Sequence, residues 1–203
     1  MRPPRPDPAG APVTSVRVVN VPNALTMLRA LCVPVMAALL WVDGGGDGSA
    51  RDLAAAVFIL ASITDLADGA IARRYGLVTT FGKVADPIAD KALIGVALIS
   101  LSWLGDLSWW VTAVILVREL GVTALRLWVI EHGVIPASRG GKVKTLVQTV
   151  AIAMYLMDVP LAWWDSARAA VMAIAVILTL VTGLDYVVRA VRLRRASRVR
   201  SAA

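Results

Sequence analysis

Polar positions are sparse along most of this chain, and they interrupt long apolar runs rather than alternating with them. The runs cover about Asn23 to Val42, Ala50 to Arg73, Gly82 to Leu104, Leu107 to Glu131, Lys144 to Trp163 and Ala167 to Leu193. Each is mainly apolar and close to the ~20 residues that a helix needs to cross a bilayer core. The pattern predicts an all-α integral membrane protein of six transmembrane helices. The third and fourth runs are separated only by Gly105-Asp106, so they are expected to be antiparallel neighbours joined by a minimal turn. Composition agrees: 58% of the residues are hydrophobic and the mean hydropathy is +0.72, which excludes a soluble core with a tail.

The ends differ in character. Residues 1–15, MRPPRPDPAGAPVTS, are Pro-rich without apolar periodicity and are expected to form a disordered arm. The apolar run that follows is too long for a signal peptide and lacks a small-residue cleavage site at its end. Val16 to Val21, with Arg17, is read as a short surface helix before the chain turns into the membrane at Pro22. Residues 16–195 then form one membrane domain, and residues 196–203 a basic tail.

The net charge of +7 is unevenly placed. Arg2, Arg5 and Arg17 precede the first span; Arg73, Arg74 and Lys83 follow the second; Arg139, Lys142 and Lys144 follow the fourth; Arg189 through Arg200 follow the sixth. These are alternate connections. The other three, Asp43 to Ser49, Gly105-Asp106 and Asp158 to Ser166, hold no Lys or Arg, although Arg51 and Arg168 stand just past two of them. The positive-inside rule therefore puts both termini of a multi-pass membrane protein in the cytoplasm, and no nucleic-acid partner is expected. Trp103, Trp109, Trp110, Trp163 and Trp164 fall near the opposite ends of the spans and read as an interfacial belt. The single Cys32 lies in an apolar run and excludes an internal disulfide, and His132 beside Glu131 is read as a helix-end residue without a functional role.

Against this background the segment Asp65 to Lys91, DLADGAIARRYGLVTTFGKVADPIADK, stands out. Asp65 and Asp68 are three apart, and Asp86 and Asp90 four apart, so each pair projects from one face of a helix. A carboxylate at a helix centre costs about 2.5 to 3.5 kcal/mol on insertion scales, so a cluster of four requires cationic compensation. With no His or Cys nearby the donors are hard oxygens, which suit Mg²⁺ or Mn²⁺. Gly69, Ala72 and Gly82 leave room on the same faces. Arg73, Arg74 and Lys83 ring the acidic floor, as a phosphate-bearing substrate held on metal would require. A plainer alternative makes Asp86 the cap of a helix starting at Pro87, with Asp65 and Asp68 merely paired to Arg73 and Arg74.

The spacing of Asp65, Asp68-Gly69, Ala72-Arg73, Gly82, Asp86 and Asp90 resembles the complete signature of the CDP-alcohol phosphotransferase family. The resemblance implies an integral membrane enzyme, a homodimer, that displaces CMP from a CDP-linked lipid or alcohol with two divalent ions per site. Asp65, Asp68 and Asp86 would hold the metals, and Asp90 would act as ligand and general base. Gly69, Ala72, Arg73 and Gly82 would contact CDP-diacylglycerol. Two outer motifs bear on the acceptor. In NVPNALTMLR, residues Asn23, Thr26 and Arg29 recur every third position, which fits either contact with CDP-diacylglycerol or, for Asn23 and Arg29, a cap and an ion pair to an Asp. Arg118-Glu119 and Arg126 precede GGKVKT with Lys142 and Lys144; Glu119 is expected to point elsewhere on its helix, leaving Arg118 a nonlocal anionic partner.

Over about residues 18–190 these motifs resemble the bacterial branch that joins CDP-diacylglycerol to the 1-hydroxyl of glycerol 3-phosphate. Branches that make cardiolipin or phosphatidylinositol phosphate are the alternatives. Arg118, Arg126, Lys142 and Lys144 are then the candidates for the acceptor phosphate, with the active site on the cytoplasmic side. A divalent cation transporter is the rival of a different class, since intramembrane acids also mark ion paths, but the surrounding cations disfavour it and no sequence repeat relates the two halves.

Overall fold

A computed structural model describes residues 21–46, 48–75, 80–129 and 139–201, and its described elements are all helical. They are α1 (Val21–Asp43), α2 (Ser49–Tyr75), α3 (Thr80–Trp103), α4 (Trp109–Val129), α5 (Arg139–Leu156) and α6 (Trp164–Ser201). One helix stands at each expected apolar run. The arm, the surface stretch up to Asn20 and His132 lie outside the described residues.

Two groups of helices pack most extensively, α1 with α2 and α3, and α6 with α4 and α5; contacts of α2 and α3 with α5, and of α3 with α4, join them. Small residues explain how α2 sits so close to its neighbours. Ala54, Ala55 and Ala61 recur with Phe58 on its buried face, and a face of alanines lets backbones approach. The shared core continues through Met36 and Leu40 of α1, Leu93, Leu98 and Leu101 of α3, Ile115 of α4, Ile152 of α5 and Met172 of α6. Cys32 is partly buried against this core, as a small apolar residue would be.

The periodicity of α1 sets up everything that follows. Its buried stripe is polar over Asn23, Thr26 and Arg29 and becomes apolar at Met36 and Leu40, while Met27, Leu28, Leu31, Val35, Trp41 and Val42 are exposed. Polar groups inside and apolar groups outside invert the usual pattern of a soluble helix.

The α3–α4 turn is as short as expected. Gly105 adopts φ 86°, and the N–H groups of Asp106 and Leu107 both donate to the Leu101 carbonyl, at 3.0 and 3.2 Å, closing the helix end. A side chain at Gly105 would meet nothing within 4 Å, so only the backbone demands glycine there. Gly105→Ala is expected to lower stability by about 1–2 kcal/mol, with specific activity of the folded protein unchanged; thermal denaturation in detergent measures it.

Arg51 ties that end of the bundle together. It is buried, bonds Asp106 Oδ2 through Nη2 at 2.7 Å and the Tyr155 carbonyl at 3.0 Å, and faces Asp43 Oδ2 at 3.8 Å. Arg168 pairs with Asp165 at 2.7 Å and lies over the Tyr155 ring. The two arginines that stand beside the Lys- and Arg-free connections are thus matched by local acids.

Three expectations change. Helix α5 ends at Leu156 rather than Trp163, because Pro160 lacks an N–H and biases Val159 away from helical geometry. It begins at Arg139 rather than Lys144, so Gly140 and Gly141 belong to a helix and not to a loop. Helix α3 begins at Thr80, close to the expected Gly82, so Pro87 lies inside it as that span required and the plainer reading of Asp86 as a helix cap is ruled out. Helix α6 also continues past the expected end of its span, to Ser201.

Candidate functional site

The polar stripe of α1 reaches two neighbouring helices. Arg29, 1% exposed, pairs through Nη1 with Asp65 Oδ1 of α2 at 2.6 Å, and Thr26 Oγ1 donates to Asp86 Oδ1 of α3 at 2.5 Å. Residues three apart on α1 share a face, so the two acids are drawn to the same side of it. Asn23 is buried on that stripe as well, and Gly82 is buried one turn before Asp86. Arg29 therefore takes the ion-pair role, and the Thr26 hydroxyl is engaged by an acid. Asp68, Gly69, Ala72 and Arg73 belong to the last turns of α2, but their side chains lie outside the described residues, as does that of Arg126.

Asp90 follows Asp86 by one turn of α3 and is half-buried. It lies within electrostatic reach of Asp65, Arg29, Glu119 and Lys144. Asp90 is thereby coupled both to Asp65 of α2 and to charges on α4 and α5. There the expected geometry needs correction. Arg118 does meet Glu119, Nη1 to Oε1 at 3.0 Å, and its nonlocal partner is not an anion but the hydroxyl of Thr182 on α6, at 2.8 Å from Nη2. Both side chains are long enough to bridge the roughly 100° between adjacent helical positions, and Lys144 of α5 bonds the same Glu119 Oε1.

Lys142 and Lys144 separate. Two positions apart on a helix, they face different ways, and Lys144 is 3% exposed while Lys142 is exposed. Of the four residues expected to bind the acceptor phosphate, Arg118 and Lys144 are brought together, Lys142 is not, and Arg126 lies outside the described side chains. Glu119 and Lys91 were missed. Lys91 reaches Thr123 of α4, whose hydroxyl donates to the Glu119 carbonyl at 2.8 Å. The signal for Glu119 was present, since an acid inside an apolar helix requires a cation as surely as Arg118 requires an anion.

Among the described residues no three His, Cys, Asp or Glu side chains are gathered as a metal cluster. Asp65 and Asp86, which meet one face of α1, and Asp90 a turn beyond Asp86 offer only carboxylate oxygens. That chemistry fits a hard divalent cation and disfavours zinc.

The site stands at one end of the bundle. From Asp86 to Trp103 along α3 is about 26 Å at 1.5 Å per residue, so Trp103 and the exposed Trp109, Trp110 and Trp163 are remote from the carboxylates.

Residues 19–181 match the family model of the CDP-alcohol phosphatidyltransferases. The chain is 56% identical over 178 residues to a probable phosphatidylglycerophosphate synthase of Mycobacterium tuberculosis (strain ATCC 25618 / H37Rv), covering 87% of this chain and 84% of that protein. It is 39% identical over 171 residues to the CDP-diacylglycerol--glycerol-3-phosphate 3-phosphatidyltransferase of Rickettsia felis, covering 82% and 93%. A protein of the same name from Salmonella choleraesuis is 36% identical over 173 residues, covering 82% and 92%. With the family model matching most of its length and relatives aligned nearly end to end, the chain belongs to the CDP-alcohol phosphatidyltransferase family.

Proposed function

We propose that this protein transfers the phosphatidyl group of CDP-diacylglycerol to the 1-hydroxyl of glycerol 3-phosphate, releasing CMP and forming phosphatidylglycerophosphate. The observation that carries the choice of acceptor, beyond the names of the relatives, is the meeting of Arg118 and Lys144 at Glu119, with Lys144 within electrostatic reach of Asp90. Glycerol 3-phosphate brings a second phosphate into an acidic site, and that phosphate needs cations that the pyrophosphate does not occupy.

Asp65, Asp68, Asp86 and Asp90 would hold two Mg²⁺ or Mn²⁺ ions, which when bound neutralise the pyrophosphate and the charge that develops on departing CMP. The chain's own groups do the rest. Gly69, Ala72 and Gly82 leave space for the nucleoside, and Arg73 pairs with a phosphate. Asn23 lines the same end of α1. Asp90 accepts the proton of the acceptor hydroxyl as its oxygen bonds the lipid-linked phosphorus and the phosphorus–oxygen bond to CMP breaks. Arg118 and Lys144 hold the acceptor phosphate, with Lys142 and Arg126 as outer cations.

The setting is a bilayer. By length and composition α1 over Asn23–Asp43 and α6 over Trp164–Arg194 are apolar enough to cross it. We read all six helices as spans, because α2, α3, α4 and α5 also expose large apolar side chains such as Leu53, Leu60, Ile88, Val117, Leu120 and Leu146. The pairing of Arg51 with Asp43 and Asp106, and of Arg168 with Asp165, removes the two exceptions to the positive-inside pattern. Both termini and the acid site then face the cytoplasm, where CDP-linked and phosphorylated substrates meet, and the protein acts as a homodimer. A groove of about 370 Å³ between α1 and α3 runs from Thr26 past Met27, Val33, Pro34 and Ile88, and offers an apolar bed for an acyl chain whose headgroup lies at Asp86.

An acceptor panel tests the reading. Purified protein with CDP-diacylglycerol and Mg²⁺ is expected to release CMP when given glycerol 3-phosphate and not when given phosphatidylglycerol or inositol phosphate. Turnover with phosphatidylglycerol instead would make it a cardiolipin synthase.

A further inference from the structure

Glu119 sits between two of the cations assigned to the acceptor, yet the reaction described above gives it no task. Its Oε1 accepts from Arg118 Nη1 of its own helix and from Lys144 Nζ of α5, and Arg118 in turn is fixed on α6 by the Thr182 hydroxyl. Thr182 is itself buried and donates back to the Leu178 carbonyl at 2.7 Å, so the arm that holds Arg118 is anchored. The Arg118 guanidinium lies 5.9 Å from the centre of the Tyr186 ring, and a Cβ built on Gly183 would stand 3.1 Å from Arg118 Cγ. Gly183 is therefore the gap through which the arginine stem passes.

Two cations that share one anion are held side by side at a separation that neither would choose alone, since like charges repel. Lys144 has a flexible four-carbon stem and no rigid geometry of its own. From this arrangement we propose that Glu119 is a positioning residue: it sets Lys144 against Arg118 as a two-point clamp for the phosphate monoester of the acceptor. One carboxylate and the Thr182 hydroxyl cannot saturate the eight N–H donors of the two side chains, and a phosphate dianion is the most favourable partner for those left over. The inference rests on the acceptor reading above and deepens it, by naming the residue that shapes the acceptor subsite without touching substrate.

Kinetics of the full-length enzyme in detergent, with each substrate varied in turn, test it. Glu119→Gln keeps the shape and one acceptor oxygen but loses the charge that draws both cations. KM for glycerol 3-phosphate should rise about tenfold, and KM for CDP-diacylglycerol should stay within about twofold. Glu119→Asp, which keeps the charge on a shorter arm, should fall between wild type and Gln. Because Glu119 acts through Lys144, the double variant E119Q/K144A should be no worse for glycerol 3-phosphate than the weaker of the two single variants. Gly183→Ala, which displaces Arg118 without changing any charge, should raise the same KM selectively and by less. Equal losses for both substrates, or additive losses in the double variant, would overturn the positioning role and leave Glu119 a structural counter-ion. Failure of the acceptor reading itself shows in the wild type, as no turnover with glycerol 3-phosphate, and the clamp would fall with it.

Discussion

Asp86→Asn is expected to lower turnover about a thousandfold or more while leaving the protein folded. Asparagine has the shape of aspartate and keeps a side-chain oxygen that can accept the 2.5 Å hydrogen bond from Thr26, so the link between α1 and α3 survives. What is lost is one negative charge at the point proposed to hold a divalent ion against the pyrophosphate. Metal stabilisation of transition-state charge is worth several kcal/mol, and each 1.36 kcal/mol is a factor of ten. Asp68→Asn is expected to behave in the same way. Metal-dependent turnover near the wild-type level in either variant, with monodisperse protein by size-exclusion chromatography, would remove both residues from the metal site.

The effect of Asp90→Asn should differ in kind. Asp90 lies within electrostatic reach of Glu119 and Lys144, where the acceptor is proposed to enter. Loss of a general base costs about 10² to 10⁴ in rate, so kcat should fall by that factor. Binding of CDP-diacylglycerol should largely survive, because Asp65, Asp68 and Asp86 remain. Single-turnover measurement with saturating CDP-diacylglycerol separates the two quantities, and a near-normal kcat would exclude Asp90 as the base.

The two variants probe opposite sides of one site, and the sequence revealed those sides unequally. The existence of six helices was plain, because each apolar run was long and bounded by Gly, Pro or charge. The four acids were equally plain, since their spacing alone puts each pair on one helical face. Less visible were the ends of α5, where Gly140-Gly141 discouraged a helical start that tertiary packing nevertheless supports, and where Pro160 stops the helix seven residues sooner than the apolar run. The start of α3 at Thr80 was legible close to Gly82, and Pro87, which alone reads as a first-turn proline, is tolerated inside the helix.

Partnerships across helices were the hardest part to read. Sequence spacing put Asn23, Thr26 and Arg29 on one face, and left open whether that face met substrate or protein. The structure gives Arg29 to Asp65 and Thr26 to Asp86, because α1 packs against both α2 and α3. The separation of Lys142 from Lys144 followed from helical geometry once α5 began at Arg139, but a loop imposes no such phase. Glu119 was set aside because adjacent helical residues point apart. The rule holds for Cβ positions and fails for the tips of two long side chains drawn together by a third charge from α5.

The most direct measurement follows the acceptor's atoms into the lipid. With purified protein, CDP-diacylglycerol, Mg²⁺ and glycerol 3-phosphate labelled in the glycerol carbon, the label should move into a chloroform-soluble lipid that carries two phosphorus atoms per labelled glycerol. It should do so one-for-one with released CMP, and not at all when CDP-diacylglycerol is omitted. Release of CMP without transfer of label into lipid would contradict the assignment.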